Sequence, residues 1–166
     1  MIGSDAYYVY PLVVTMPLVA AETIIDTAIR VRKAEGILPL TVVVLDAGGN
    51  PVALKREDGC GIMRADLALG KAWGALGVGF SSREIRDRLS GRHAFQAALA
   101  AASAGRFIPT PGGVLVLNAE QQAIGAVGIS GDQSDKDEYC AILGVREAGL
   151  HCHPPEPNEE WRKKEG

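Results

Sequence analysis

The chain has 166 residues, of which 47% are apolar and 22% charged, and its net charge is -3. That length fits one domain, the mild negative balance offers no electrostatic footprint for nucleic acid or an anionic membrane, and 5% aromatics are too few for a base-stacking platform. No apolar run reaches the length of a membrane span, Pro11 and Pro17 interrupt residues 7–21, and three scattered cysteines make no disulfide framework, so a cytoplasmic protein is expected.

Residues 1–11 form an N-terminal extension, a lead-in or an added strand. Thr15 can then cap a helix with Pro17 in its first turn. Leu18, Ala21, Ile25, Ala28 and Ile29 share one helical face, Glu22, Asp26, Arg30 and Lys33 the other, and Gly36 ends the helix. Residues 40–45 are rich in β-branched side chains, and residues 51–56 read as a second extended segment. Asp46-Ala-Gly-Gly-Asn50 between them tolerates positive φ, which predicts a hairpin.

Residues 62–79 predict a helix dense in alanine and glycine, built for close approach to a neighbour. Residues 82–89 and 92–102 predict two shorter helices. Pro109 and Pro111 break the chain before Gly112-Gly113, and residues 114–117 and 123–130 predict a second hairpin. Ser134 can cap a last helix with acids in its first turn and Gly149 at its end. Residues 150–166 are proline-broken and charged, so a flexible tail is expected. Helix, hairpin, helices, hairpin, helix predicts an α+β domain over residues 12–149: an antiparallel sheet with helices packed on one face.

Known reaction signatures are absent. Gly77-x-Gly79 lies at the wrong end of a helix for a dinucleotide fingerprint, and Lys71 is followed by Ala72 where a phosphate loop needs a hydroxyl. Ser130 stands in no nucleophile elbow and reads as a turn residue beside Gly131. His151 and His153, with Cys152 between them, suit a soft metal or a haem iron by residue type, although a proline-broken tail positions ligands poorly. His93 reads as a surface residue at a helix start. The acids Asp132, Asp135, Asp137 and Glu138 either complement a helix N-terminus or form a hard-cation patch. Arg56 and Lys71, long cations beside glycine-rich segments, are candidates for a ligand carboxylate.

Taken together, Asp46-Ala-Gly-Gly-Asn-Pro-Val-Ala, Arg56-x-Asp58-Gly59, Gly70-Lys71-Ala72, Gly112-Gly113-Val114, the run from Ile124 to Gly131, and Asp137 ahead of Cys140-Ala141 resemble the GlcG/HbpS-like family over roughly residues 12 to 149. The resemblance implies a profilin-like α+β fold, with a five-stranded antiparallel sheet flanked by helices, and a homo-oligomer. It also implies kinship with haem-binding sensor proteins, with a domain attached to some corrinoid adenosyltransferases, and with small proteins encoded beside catabolic genes. Cys60 stands where the family usually has alanine, adding a potential thiolate beside Arg56 and Asp58. No histidine falls in the first helix or first hairpin, so no axial haem ligand carries over from haem-binding relatives.

The resulting expectation is a binding protein for haem, another tetrapyrrole or a carboxylated metabolite. Its pocket lies near the Asp46 and Gly112 loops, with Arg56 and Lys71 on the ligand's carboxylates. Gly112, Gly113 and Gly131 let the backbone come close, and Asp58, Ser130 and Asp137 complete the set. The alternatives are an accessory catabolic enzyme using Asp46, Asp58 or Lys71 as acid or base, and a purely structural oligomer subunit. The metal candidates are Cys60, His151 and His153.

Overall fold

The computed structural model describes residues 9–164. In chain order the elements are α1 (Leu18–Glu35), β1 (Thr41–Asp46), β2 (Pro51–Arg56), α2 (Met63–Val78), α3 (Ser82–Arg88), α4 (His93–Ala102), β3 (Gly113–Leu117), β4 (Ala123–Ser130), α5 (Ser134–Glu147) and β5 (His151–His153), followed by a 3-10 turn at Glu160–Lys164. The strands make one five-stranded sheet in the order β2-β1-β4-β3-β5, antiparallel throughout. The expected α+β class and both hairpins are present. The expected N-terminal strand falls largely outside the described residues, and Val9 and Tyr10 are in neither helix nor strand.

The sheet is covered on both faces, which corrects the one-face expectation. Val42, Val44, Val114, Val116, Val127 and Ile129 point toward α1 and α5, while Val43, Leu45, Leu115 and Ala126 point toward α2. Side chains alternate along a strand, so a central strand buried on both sides reads as an unbroken apolar run, as residues 42–45 do. On the α2 face the sheet presents glycine. A Cβ at Gly128 would lie 1.9 Å from the Ala68 carbonyl oxygen, and one at Gly113 2.2 Å from that of Lys71. The small residues of α2 therefore serve contact with the sheet of its own chain.

Two helix ends behave differently from expectation. Thr15 does not cap α1; its hydroxyl accepts from the Ala47 amide at 3.0 Å and ties the incoming chain to the first hairpin. Ser134 does not cap α5, whose N-cap position is Gln133. Gly36 closes α1 at φ 69°, a left-handed conformation that glycine adopts without a Cβ penalty.

The flexible tail is also corrected. His151–His153 pairs with β3 as the fifth strand, and Trp161 is 4% exposed in the main core beside Tyr139. One buried aromatic outweighs the polar composition around it, because burying so large a ring contributes several times what an exposed side chain does.

Candidate functional site

Lys71 of α2 is buried and its ammonium donates to the Ile129 carbonyl at 2.9 Å and to Asp137 Oδ2 at 3.1 Å. Asp137 Oδ1 accepts from the Asp132 amide at 3.0 Å. Burial pulls the Lys71 ammonium below its usual range against the pull of Asp137, and burial pushes the Asp137 carboxyl up to about 6 against the pull of Lys71. The partner expected for Lys71, a ligand carboxylate, is thus replaced by an internal one. The room beside the three glycines is filled from within as well: a Cβ at Gly112 would meet the Ile129 carbonyl oxygen at 2.7 Å, and one at Gly131 the Pro39 carbonyl oxygen at 2.4 Å.

Next to this pair lies Glu138, fully buried, with no side-chain hydrogen bond among the described residues and Arg83 Nε 3.4 Å away. Burial pushes its carboxyl up to about 7, opposed by Arg83. The sequence offered no signal separating the fully buried Asp137 and Glu138 from the half-buried Asp132 and Asp135 beside them, since first-turn acids are ordinarily solvated.

Register sets the other candidates apart. Thr41 pairs with Arg56 on one side and with Ser130 on the other, whereas Asp46 pairs with Gly125 at the far end of β1. Six-residue strands put Asp46 and Arg56 roughly 16 Å apart, so no one pocket joins the Asp46 loop to Arg56. Asp46 holds its own turn, accepting from the Gly48 and Asn50 amides at 2.9 Å each. Ser130 Oγ accepts from Arg64 at 3.2 Å, and the Cys60 thiol is buried 3.2 Å from the Thr41 hydroxyl.

At the Arg56 end, α1 and β2 border an open cleft of about 510 Å3, lined by Ile29, Arg32, Lys33, Lys55, Arg56, Glu57 and Asp58. Arg32 grips Glu57 through Nε at 2.8 Å, and Lys55 pairs with Asp26 at 2.5 Å. Among the described residues the side chains of Lys33 and Arg56 have neither a hydrogen bond nor an ion pair. Of the carboxylates weighed for acid–base work, Asp58 is the one in this cleft. Arg32 and Lys33 were missed because their sequence position only marks the polar face of a helix; β2 brings Arg56 alongside.

The histidine pair is divided by its strand. His153 Nδ1 accepts from the Ser81 amide at 3.1 Å and its Nε2 faces Glu84 at 2.9 Å, so both nitrogens are engaged. His151 is exposed, and Cys152 points into the core. Among the described residues no group of three or more His, Cys, Asp or Glu is placed to hold a metal ion. No described helix is long and apolar enough to cross a membrane.

Residues 16–146 match the family model described as haem degrading protein HbpS-like. The chain belongs to the HbpS-like family. An uncharacterised 15.0 kDa protein from the dhaT–dhaS intergenic region of Citrobacter freundii is 28% identical over 84% of this chain and 93% of its own length. Among solved structures, the Klebsiella pneumoniae protein ORFY superposes with a TM-score of 0.72 at 26% identity, covering 87% of this chain and 98% of that one. The PduOC–haem complex has the same TM-score at 20% identity, covering 83% and 98%, and shows the fold.

Haem is the group this family implies, and the cleft between α1 and β2 offers its iron no fitting donor. The cleft lining contains no imidazole, thiol or thioether. His153 is committed on both nitrogens, and burial raises the Cys140 and Cys152 thiols, disfavouring the thiolate that binds iron.

Proposed function

We propose that this HbpS-like protein is a small-ligand-binding protein whose ligand carries carboxylates and sits in the cleft between α1 and β2. The observation that carries this reading is the pair of cations Lys33 and Arg56, without a hydrogen bond or ion pair among the described residues, on the lining of a 510 Å3 cleft whose other two cations are neutralised within the chain. A forked guanidinium and an ammonium lining one cleft suit a planar carboxylate. The propionates of a tetrapyrrole are carboxylates too, and would meet the same cations without an iron–protein bond. Free, buried thiols at Cys60, Cys140 and Cys152 suit a reducing cytoplasm. Self-association is part of this reading, supported by the apolar surface left uncovered on the single chain.

Calorimetric titration with a panel of mono- and dicarboxylates, alongside haemin followed by its Soret band, tests it. Binding that weakens with salt and is lost in the Arg56→Ala variant is the expected result. Carboxylate binding unaffected by Arg56→Ala, or no binding by any of the panel, would overturn it.

A further inference from the structure

Before α1 the chain runs through residues 9–14 in neither helix nor strand, and then anchors: Thr15 on the Ala47 amide, Met16 in the core. Upstream of that anchor Val9, Tyr10, Leu12, Val13 and Val14 are 64–93% exposed, and Leu18 and Val19 on the first turn of α1 are 55% and 71% exposed. At roughly 100 Å2 of apolar area per side chain of this size, the arm and that turn expose roughly 700 Å2, close to the ~800 Å2 per partner of a standard interface.

An acceptor lies on the same chain. The indole of Trp73 separates two small cavities, one of about 170 Å3 lined by Gly74, Gly77, Val78 and Phe107, the other of about 140 Å3 reaching Gly49 and Leu76. The second is bordered by Ala47, the residue on which the arm is rooted. Gly74 and Gly77 place no side chain in this groove, which leaves it open, and the Arg106 guanidinium stacks on one face of the Trp73 ring 4.1 Å from its centroid. The arm of the same chain does not fill it, since that arm is exposed.

We propose that two copies exchange arms, residues 9–14 of each seating in the Trp73 groove of the other. This rests on the reading that the protein self-associates. Donor and acceptor belong to one sequence and lie at one end of the fold, which is what a reciprocal two-fold exchange requires. An exposed apolar stretch of this size marks an interaction site, and a second copy supplies both the arm and the groove.

The test is light scattering with size exclusion on the full chain at micromolar concentration. Leu12→Glu/Val13→Glu would place charge on the arm, and Gly77→Leu would fill the groove. A Cβ at Gly77 comes no nearer than 3.7 Å to the Trp73 ring, so that helix position accepts a side chain. The expected result is a wild type heavier than the 17.5 kDa chain, both variants at the mass of one chain with wild-type circular dichroism, and a blue shift of indole emission as the wild type associates. Retention of the oligomer by either variant, or wild-type emission that does not change with association, overturns the arm exchange alone. A wild type that runs as a single chain overturns the arm exchange and self-association together.

Discussion

Lys71 and Asp137 meet at 3.1 Å although they come from α2 and α5, helices on opposite faces of the sheet. The contact forms beyond the last residues of β4, where the ammonium also takes the Ile129 carbonyl. Removing one member of such a pair strands the other charge away from water, which costs about 3–5 kcal/mol. Lys71→Ala is therefore expected to lower Tm by roughly 6–20 °C at about 2–4 °C per kcal/mol. Thermal melts without ligand check this, and the paired Lys71→Met/Asp137→Leu replacement should recover most of the loss. A Lys71→Ala melt equal to wild type would show that the pair is not structural.

Glu138 makes stability depend on pH. Its carboxyl titrates near 7 when folded against 4.5 for an ordinary glutamic acid, so the folded state holds the proton more tightly. The contribution is fully present below 4.5 and is lost as pH rises through about 7. Asp137 acts in the same direction up to about 6. At about 1.4 kcal/mol per pKa unit, the Glu138 effect is roughly 3 kcal/mol. Glu138→Gln should flatten the decline between pH 5 and 8, read from urea midpoints; an unchanged slope would mean another group carries it.

Trp161 should behave as core. Its ring lies edge-on to Tyr139 with centroids 5.7 Å apart, under the Arg162 guanidinium, which also clasps Glu35 at 2.7 Å. Trp161→Ala is expected to cost about 3–5 kcal/mol, and deletion of residues 150–166 at least as much, because it also strips β5 from β3. Guanidinium unfolding curves decide the matter; a truncated chain as stable as the full one would mean the tail only decorates the domain.

Arg56 should show the opposite profile. Its side chain is exposed and has no hydrogen bond or ion pair among the described residues, so Arg56→Ala should leave Tm within about 2 °C of wild type, as surface substitutions do. A charge-assisted contact contributes about 1.5–3 kcal/mol, so carboxylate affinity should fall about ten- to a hundredfold, and Lys33→Ala should fall in the same range. A large stability loss in either variant would assign these cations to the fold.

Sequence alone determined the local elements, and the reason is that their signals are local. Apolar periodicity marked α1, Asp46-Ala-Gly-Gly-Asn50 marked the first hairpin, and alanine with glycine marked α2 as a helix meant to come close to something. What it came close to was decided by register: Gly113 and Gly128 face α2, so the small residues meet the sheet. The site was legible in part. Arg56 and Asp58 do line a cleft, but their neighbours Arg32 and Lys33 join them only because β2 lies alongside α1. Lys71, read in isolation, has the same composition around it whether it faces a ligand or a buried acid. Asp137 is 66 residues away in the chain, and that partner exists only once both helices have packed. The tail shows the same limit: His-Cys-His is too short to carry a periodicity, and its strand is made by hydrogen bonds to β3 and by Trp161 finding the core. The helices and both hairpins follow from neighbours in sequence, whereas the fifth strand, burial, and with burial the shifted charges of Lys71, Asp137 and Glu138, follow from neighbours in space.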